Sequence, residues 1–122
     1  MTQHVLLIED EPNIVEAIRF ILSRDGWRVS TLDNGAQALA KVLALRPDLV
    51  ILDLMLPGAS GLEIVAALRA NPATATLPVM MLTAKGQARD RAAAEAVGVS
   101  LFMAKPFSNT GILAAARALV AP

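Results

Sequence analysis

The sequence predicts an α/β fold: a doubly wound, parallel sheet of five strands with five helices shared between its two faces. Strand-like and helix-like patterns alternate along the whole chain, an order that parallel strands joined by right-handed crossovers satisfy. Four strand candidates are short, continuous apolar runs, the pattern of strands covered on both faces. They are Val5-Leu6-Leu7-Ile8, Leu49-Val50-Ile51-Leu52, Val79-Met80-Met81-Leu82 and Leu101-Phe102-Met103-Ala104. Each runs into residues suited to phosphate chemistry: Glu9-Asp10, Asp53, Thr83 and Lys105. An open parallel sheet binds its ligands beyond the carboxyl ends of its strands, where strand order reverses. Carboxylates, a hydroxyl and an ammonium group are therefore expected in one crevice.

The first strand is predicted over residues 3–9. The first helix begins at Pro12, which a first helical turn tolerates. Ile14, Val15, Ile18, Ile21 and Leu22 recur at helical spacing, with Glu16, Arg19 and Ser23 opposite, and Gly26 closes the helix. Residues 27–32 alternate, as a half-covered edge strand does. Asp33-Asn34-Gly35 is a turn and cap before a second helix lined by Ala38, Leu39, Val42 and Leu43, which Pro47 stops. The third strand covers 48–53, followed by a loop over 54–60 containing Pro57-Gly58 and a helix over 61–70 carrying Leu62, Val65 and Leu68. Asn71-Pro72 breaks that helix. A strand over 78–82, a helix over 87–97, a strand over 99–104 and a helix over 108–120 complete the chain. The fourth helix is expected to bury mainly Ala88, Ala92, Ala93 and Ala96, which is little apolar area to fix it. The last helix turns Ile112, Leu113, Ala116 and Leu119 inward.

A chain of 122 residues fits one domain over 1–122 with its own core. Hydrophobic residues make up 55% and aromatics 3%, so that core is aliphatic. Eleven basic and eleven acidic residues cancel. Without a basic block, neither direct nucleic-acid binding nor a polybasic membrane contact is expected. The absence of cysteine excludes disulfides and thiolate metal sites. Glu9, Asp10 and Glu11 interrupt the first apolar run too early for a signal peptide, and no stretch reaches membrane-spanning length. A cytoplasmic location is the resulting expectation.

Glu9 and Asp10 are adjacent, so a strict strand would point them to opposite faces. Both reach one ion only where the chain has left the strand, as the polar Asp10-Glu11-Pro12 suggests. Mg²⁺ takes oxygen ligands, commonly one or two carboxylates plus water and a substrate phosphate. Asp10 and Asp53, aided by Glu9 through water, fit that demand. The alternative is that the acids at 9–11 serve the N-terminal dipole of the first helix. Asp53 closes a wholly apolar run, and buried acids are avoided unless paired or metal-bound. It is either a nucleophile that forms an aspartyl phosphate or one more metal ligand. The Thr83 hydroxyl either donates to a phosphoryl oxygen or satisfies backbone groups. Lys105 is held extended by Pro106. Its ammonium suits the acid cluster at rest and phosphoryl oxygens afterwards, and phosphoryl transfer needs little beyond positioning and charge neutralisation. His4, the sole histidine, is placed at the amino end of its strand, in a structural or solvated role.

The set Ile8-Glu9-Asp10, Leu52-Asp53, Leu82-Thr83-Ala84 and Ala104-Lys105-Pro106-Phe107 resembles the receiver domain of two-component response regulators. The loop from Leu54 through Pro57-Gly58 to Leu62 resembles that family too, so the likeness covers essentially the whole chain. The resemblance implies a flavodoxin-like (CheY-like) fold with strand order 2-1-3-4-5. It implies that Asp53 accepts a phosphoryl group from a histidine on a sensor kinase or histidine phosphotransfer protein. Glu9, Asp10, Asp53 and the Met55 carbonyl would hold Mg²⁺, with Mn²⁺ as a substitute, directly or through water. Thr83 and Lys105 would bind the phosphoryl oxygens, and Lys105-Pro106 is expected to be cis, a form with only a small penalty before proline. Thr83 and Phe102 would form the switch, Phe102 standing where tyrosine is frequent and favouring an inward ring; the alternative is that Phe102 is an ordinary core residue. The first helix, with Asn13, Ile14 and Ile18, would dock the phosphodonor.

The output face implied by the family is the fourth helix, fifth strand and fifth helix. Ser100-Leu101 replaces the acidic pair, and Gly111 and Ala115 the charges, that a salt-bridged winged-helix-type dimer uses, so a monomer or weak dimer is expected. Leu101 either marks a different partner surface or packs under the last helix. A chain ending at Pro122 without a linker leads to the expectation of a free-standing regulator, or equally a domain cut from a longer regulator or hybrid kinase. Two rival classes fit less well. A flavodoxin-like cofactor binder lacks its glycine-rich phosphate loop, since Asp10-Glu11-Pro12-Asn13 follows the first strand. An aspartyl-phosphate hydrolase lacks a second acid two residues after Asp53, where Met55 stands. The expectation is a switch, not a turnover enzyme.

Overall fold

The computed structural model describes residues 2–84 and 88–121, the Ala88 side chain excepted. Strands β1 (His4–Ile8), β2 (Arg28–Leu32), β3 (Leu49–Asp53), β4 (Val79–Thr83) and β5 (Leu101–Ala104) form one sheet. Its order is β2-β1-β3-β4-β5, and every neighbouring pair is parallel. Helices α1 (Pro12–Arg24), α2 (Ala38–Leu45), α3 (Gly61–Ala70) and α4 (Ala88–Val97) connect the strands, and α5 (Asn109–Val120) follows the last of them. Strand order reverses at β1, which has β2 on one side and β3 on the other. That opens the crevice at the carboxyl ends of β1 and β3.

Alternation along the strands divides the core in two. Leu6, Ile8, Val50, Leu52, Val79 and Met81 pack toward α2, α3 and α4, meeting Val42, Ile64, Val65, Leu68 and Ala94. Val5, Leu7, Leu49, Ile51, Met80 and Leu82 pack toward α1 and α5, meeting Ile18, Leu22, Ile112 and Ala116. Strands β1, β3 and β4 are buried throughout, and each large aliphatic side chain so removed from water contributes about 1.5–3 kcal/mol. β2 has a neighbour on one side only and no fully buried residue, as its alternating sequence predicts.

Local chemistry sets the helix ends near the crevice. Pro12 starts α1, and Glu11 occupies the N-cap without a side-chain bond to the helix. α3 opens with a capping box: Ser60 Oγ accepts the Glu63 N–H at 3.2 Å, and Glu63 Oε1 accepts the Ser60 N–H at 3.4 Å. Gly61, beside that cap, is required by close approach. A Cβ there would run into the Asp53 carbonyl oxygen and stand 3.0 Å from Leu54 Cα.

Several boundaries and one face differ from the sequence expectation. β2 begins at Arg28, because the Trp27 N–H returns to the Leu22 carbonyl at 3.0 Å and still belongs to the end of α1. β5 begins at Leu101, because the Val99 N–H closes α4 on the Ala94 carbonyl at 3.0 Å. A 3₁₀ turn, Gly35–Gln37, precedes α2, capped by Asn34 Oδ1 accepting the Ala36 N–H at 2.7 Å. The expected burial of Ala92 and Ala96 on α4 is incorrect. Both are exposed; Ala94 is buried, with Asp90, Ala93 and Val97 beside it. Alanine on nearly every side left no apolar contrast to fix the rotation of α4, and Val97 sets it. The expected helix start at Gln87 and the expected burial of the Ala88 side chain lie outside the described residues. Leu101 is half-buried and packs with the cluster that contains Ile112 and Ala116 of α5.

Candidate functional site

Glu9 follows β1 directly, and its N–H continues the ladder to β2 by bonding the Leu32 carbonyl at 3.0 Å. Beyond it the chain leaves the strand, and the two adjacent acids reach one crevice: Glu9 is 3% exposed and Asp10 lies at the surface. Asp53 closes β3 at 7% exposure, and its Oδ1 accepts the Met55 N–H at 3.3 Å. Thr83 closes β4 at 1% exposure, and its carbonyl accepts the Lys105 N–H at 2.8 Å. Lys105 follows β5, and the peptide bond to Pro106 is cis. Its Nζ reaches Glu9 Oε1 at 2.8 Å and Asp53 Oδ2 at 3.0 Å. Phe102 lies on β5, 6% exposed and turned into the core.

One carboxylate oxygen each from Glu9, Asp10 and Asp53 lies within 4.8 Å of the others. Glu9 points to Lys105, and no acid in the first turn of α1 bonds that helix, so Glu9 does not serve as a cap. A recess of about 400 Å³ beside the cluster is lined by Glu9, Asp10, Pro12, Val15, Thr31 and Asp33, among others. A second recess of about 440 Å³, lined by Val42, Arg46, Pro47 and Leu77 among others, contains no acid and none of these groups.

Burial pushes the Glu9 carboxyl up to about 7, against the hydrogen bond and charge of Lys105, while the Asp53 charge pushes the same way as burial. Burial alone would lower the Lys105 ammonium, yet its hydrogen bonds and attraction to Glu9 and Asp53 prevail and raise it. The lysine therefore stays charged between the two acids. An all-oxygen, carboxylate-rich donor set at this spacing suits a hard divalent cation such as Mg²⁺ and offers nothing to a soft one. His4 lies at the opposite end of β1, 8% exposed, with Nε2 2.8 Å from Ser30 Oγ. Sequence reasoning missed the capping box over Ser60 and Glu63, although serine three residues before glutamate at a helix start is its signature.

The family model for the response regulator receiver domain matches residues 5–117. The phosphate regulon transcriptional regulatory protein PhoB of Rhizobium meliloti is 37% identical over 120 residues, covering 98% of this chain and 53% of that protein. The DNA-binding response regulator MtrA of Mycolicibacterium smegmatis is 37% identical over 118 residues, covering 97% of this chain and 50% of that protein. This chain thus spans about half the length of the curated relatives it matches. Among solved structures, chemotaxis response regulator CheY4 of Vibrio cholerae superposes with a TM-score of 0.91 at 28% identity, covering 98% of this chain and 99% of that one. The receiver domain of sensor histidine kinase PA1611 from Pseudomonas aeruginosa gives a TM-score of 0.91 at 27% identity, covering 100% of both chains. That domain has a magnesium ion coordinated in its active site cleft.

Proposed function

The chain belongs to the response regulator receiver domain family, and from that membership we infer that residues 1–122 form a single receiver domain whose Asp53 accepts a phosphoryl group in two-component signalling. The observation that carries this reading is the bridge of Lys105 between Glu9 and Asp53, with three carboxylate oxygens converging at the carboxyl ends of β1 and β3. The donor is a phosphohistidine on a histidine kinase or histidine phosphotransfer protein. An Asp53 carboxylate oxygen forms the new P–O bond as the P–N bond breaks. The electron pair stays on the imidazole nitrogen, which takes up a proton. Glu9, Asp10, Asp53 and the Met55 carbonyl would hold Mg²⁺, or Mn²⁺ in its place, directly or through water. When bound, the ion offsets charge on the phosphoryl oxygens. Lys105 moves from its acid partners to a phosphoryl oxygen, and Thr83 donates its hydroxyl to another. The modified state is relieved by hydrolysis, so the domain acts as a switch and not as a turnover enzyme.

Thr83 and Phe102 transmit the change to the face formed by α4, β5 and α5, which an output partner reads. The composition of these residues, with eleven basic and eleven acidic side chains, supports output through a protein partner and not through direct contact with nucleic acid. PhoB and MtrA are regulators of transcription by name, and DNA binding would fall to a larger protein of that kind. Monomer or weak dimer is the proposed assembly, and the cytoplasm the proposed location. Among the described residues no helix is long and apolar enough to cross a membrane.

Fluoroberyllate mimics a phosphoryl group on a carboxylate, so ¹⁹F NMR tests the acceptor directly. The expected result is a bound resonance that requires Mg²⁺ and is lost in Asp53→Asn. A bound resonance that survives Asp53→Asn refutes the assignment.

A further inference from the structure

The described part of α4 is held to the sheet by little apolar surface, with Ala94 its one fully buried side chain. Two arginines add to that grip. Arg69 of α3 donates from Nε to the Gly98 carbonyl at 3.0 Å, which fixes the carboxyl end of α4. Toward the other end, Arg91 lays its guanidinium over the Phe102 ring, 5.0 Å from the centroid. The ring is 6% exposed and shares its cluster with Met81 and Ala94. Met81 pairs with Phe102 across β4 and β5, and Thr83 pairs with Ala104. Alternate residues of a strand share a face, so Thr83 and Phe102 lie on the same side of the sheet, on adjacent strands. Thr83 follows Leu82, the residue paired with Asp53. In a close-packed layer, a ring that swings out opens space beside Thr83, and a ring held in restricts its rotamers.

We propose that Arg91 is a positioning residue of the phosphoryl site: its guanidinium holds Phe102 inward, and the ring in turn restricts Thr83 beside Asp53. Phenylalanine has no hydroxyl with which to find a polar partner at the surface, so the cation over its face supplies the polar attraction that keeps it in. A cation–π contact at a partly exposed site biases such an equilibrium by about two- to fivefold. Ligand affinity falls by the same factor as the competent fraction. The inference rests on the reading of Asp53 as phosphoryl acceptor.

The test is ¹⁹F NMR of protein carrying 4-fluorophenylalanine at Phe20, Phe102 and Phe107, its three phenylalanines, combined with fluoroberyllate titration. Arg91→Gln removes the charge from an exposed side chain, and Arg91→Lys keeps it. The Phe102 resonance is expected to move in Arg91→Gln, to stay near its wild-type position in Arg91→Lys, and to leave Phe20 and Phe107 unmoved. The fluoroberyllate dissociation constant is expected to rise, by up to about fivefold, in Arg91→Gln alone. An unmoved Phe102 resonance overturns the contact, and a moved resonance with unchanged affinity overturns the positioning role. Wild-type protein that binds no fluoroberyllate would bring down the acceptor reading, while the ring resonance still decides whether Arg91 holds Phe102.

Discussion

Replacing Lys105 by methionine removes the charge that bridges two buried acids while keeping most of the side-chain volume. The Lys105 and Asp53 side chains are each 9% exposed and that of Glu9 is 3% exposed, so neither carboxylate can recover full hydration in the variant. Removing one partner of a buried ion pair costs about 3–5 kcal/mol. Glu9 offers an escape, because burial already pushes its carboxyl up to about 7, and losing the lysine pushes it further. Near pH 6 Glu9 is mostly protonated with or without the lysine, and the loss stays at the low end of that range. Near pH 8.5 it must retain the second charge or do the work of protonation, and the loss is full. For a domain of this length the full loss lowers the melting temperature by roughly 10–25 °C. Thermal unfolding of Lys105→Met and wild type at both pH values, with and without Mg²⁺, reads this out. Mg²⁺ is expected to stabilise the variant by up to about 2.7 kcal/mol at a hundredfold excess over its dissociation constant, and to raise its melting temperature more than that of wild type. A variant that loses only a few degrees at pH 8.5, with no difference from pH 6, refutes the electrostatic account of the cluster.

Gly61→Ala places a methyl against the Asp53 carbonyl and is expected to cost about 1–3 kcal/mol and to slow phosphorylation, with urea unfolding and acetyl phosphate kinetics as the readouts. Burial, and then the Arg28 charge, hold the His4 imidazole below its usual range, with Asp48 opposing. The folded state thus binds fewer protons there than the unfolded state. The stability His4 contributes is present above pH 6.5 and is lost as pH falls through its lowered value. Glu9 acts in the opposite sense, favouring the fold below pH 4.5 and losing that contribution as pH rises toward 7. The difference in melting temperature between wild type and His4→Gln isolates the histidine and is expected to shrink from pH 7.5 to pH 5. Ile14, half-buried near the start of α1, is the proposed phosphodonor contact. Ile14→Ala is expected to slow transfer from a cognate kinase roughly five- to tenfold and to spare acetyl phosphate, whereas equal slowing with both donors contradicts the docking role.

The fold was legible because hydrophobic period and covering go together. β1, β3 and β4 are buried on both sides and read as unbroken apolar runs, while β2 at the edge alternates. The convergence at the crevice was legible for a related reason: Glu9, Asp53, Thr83 and Lys105 each interrupt or follow an apolar run, where a charge or hydroxyl stands out. α4 was least legible. Its alanines carry no phase, so the face containing Ala94 emerges only when Val97 and Phe102 are placed. Trp27 read as strand because its ring is apolar, but its N–H serves the end of α1. Arg91 over Phe102 joins residues from different elements, and no local pattern announces such a contact. The pairing of Glu9 with Lys105 spans 96 positions in sequence, yet followed from the parallel strands, because both residues stand just beyond the carboxyl ends of theirs.

Intact mass measured after incubation with acetyl phosphate and Mg²⁺, with acid quenching, decides whether Asp53 is the acceptor. Wild type is expected to gain one phosphoryl group, the gain to disappear when Mg²⁺ is withheld, and Asp53→Asn to gain none. A wild type that gains nothing from any phosphodonor, or an Asp53→Asn variant that gains as much as wild type, contradicts the account.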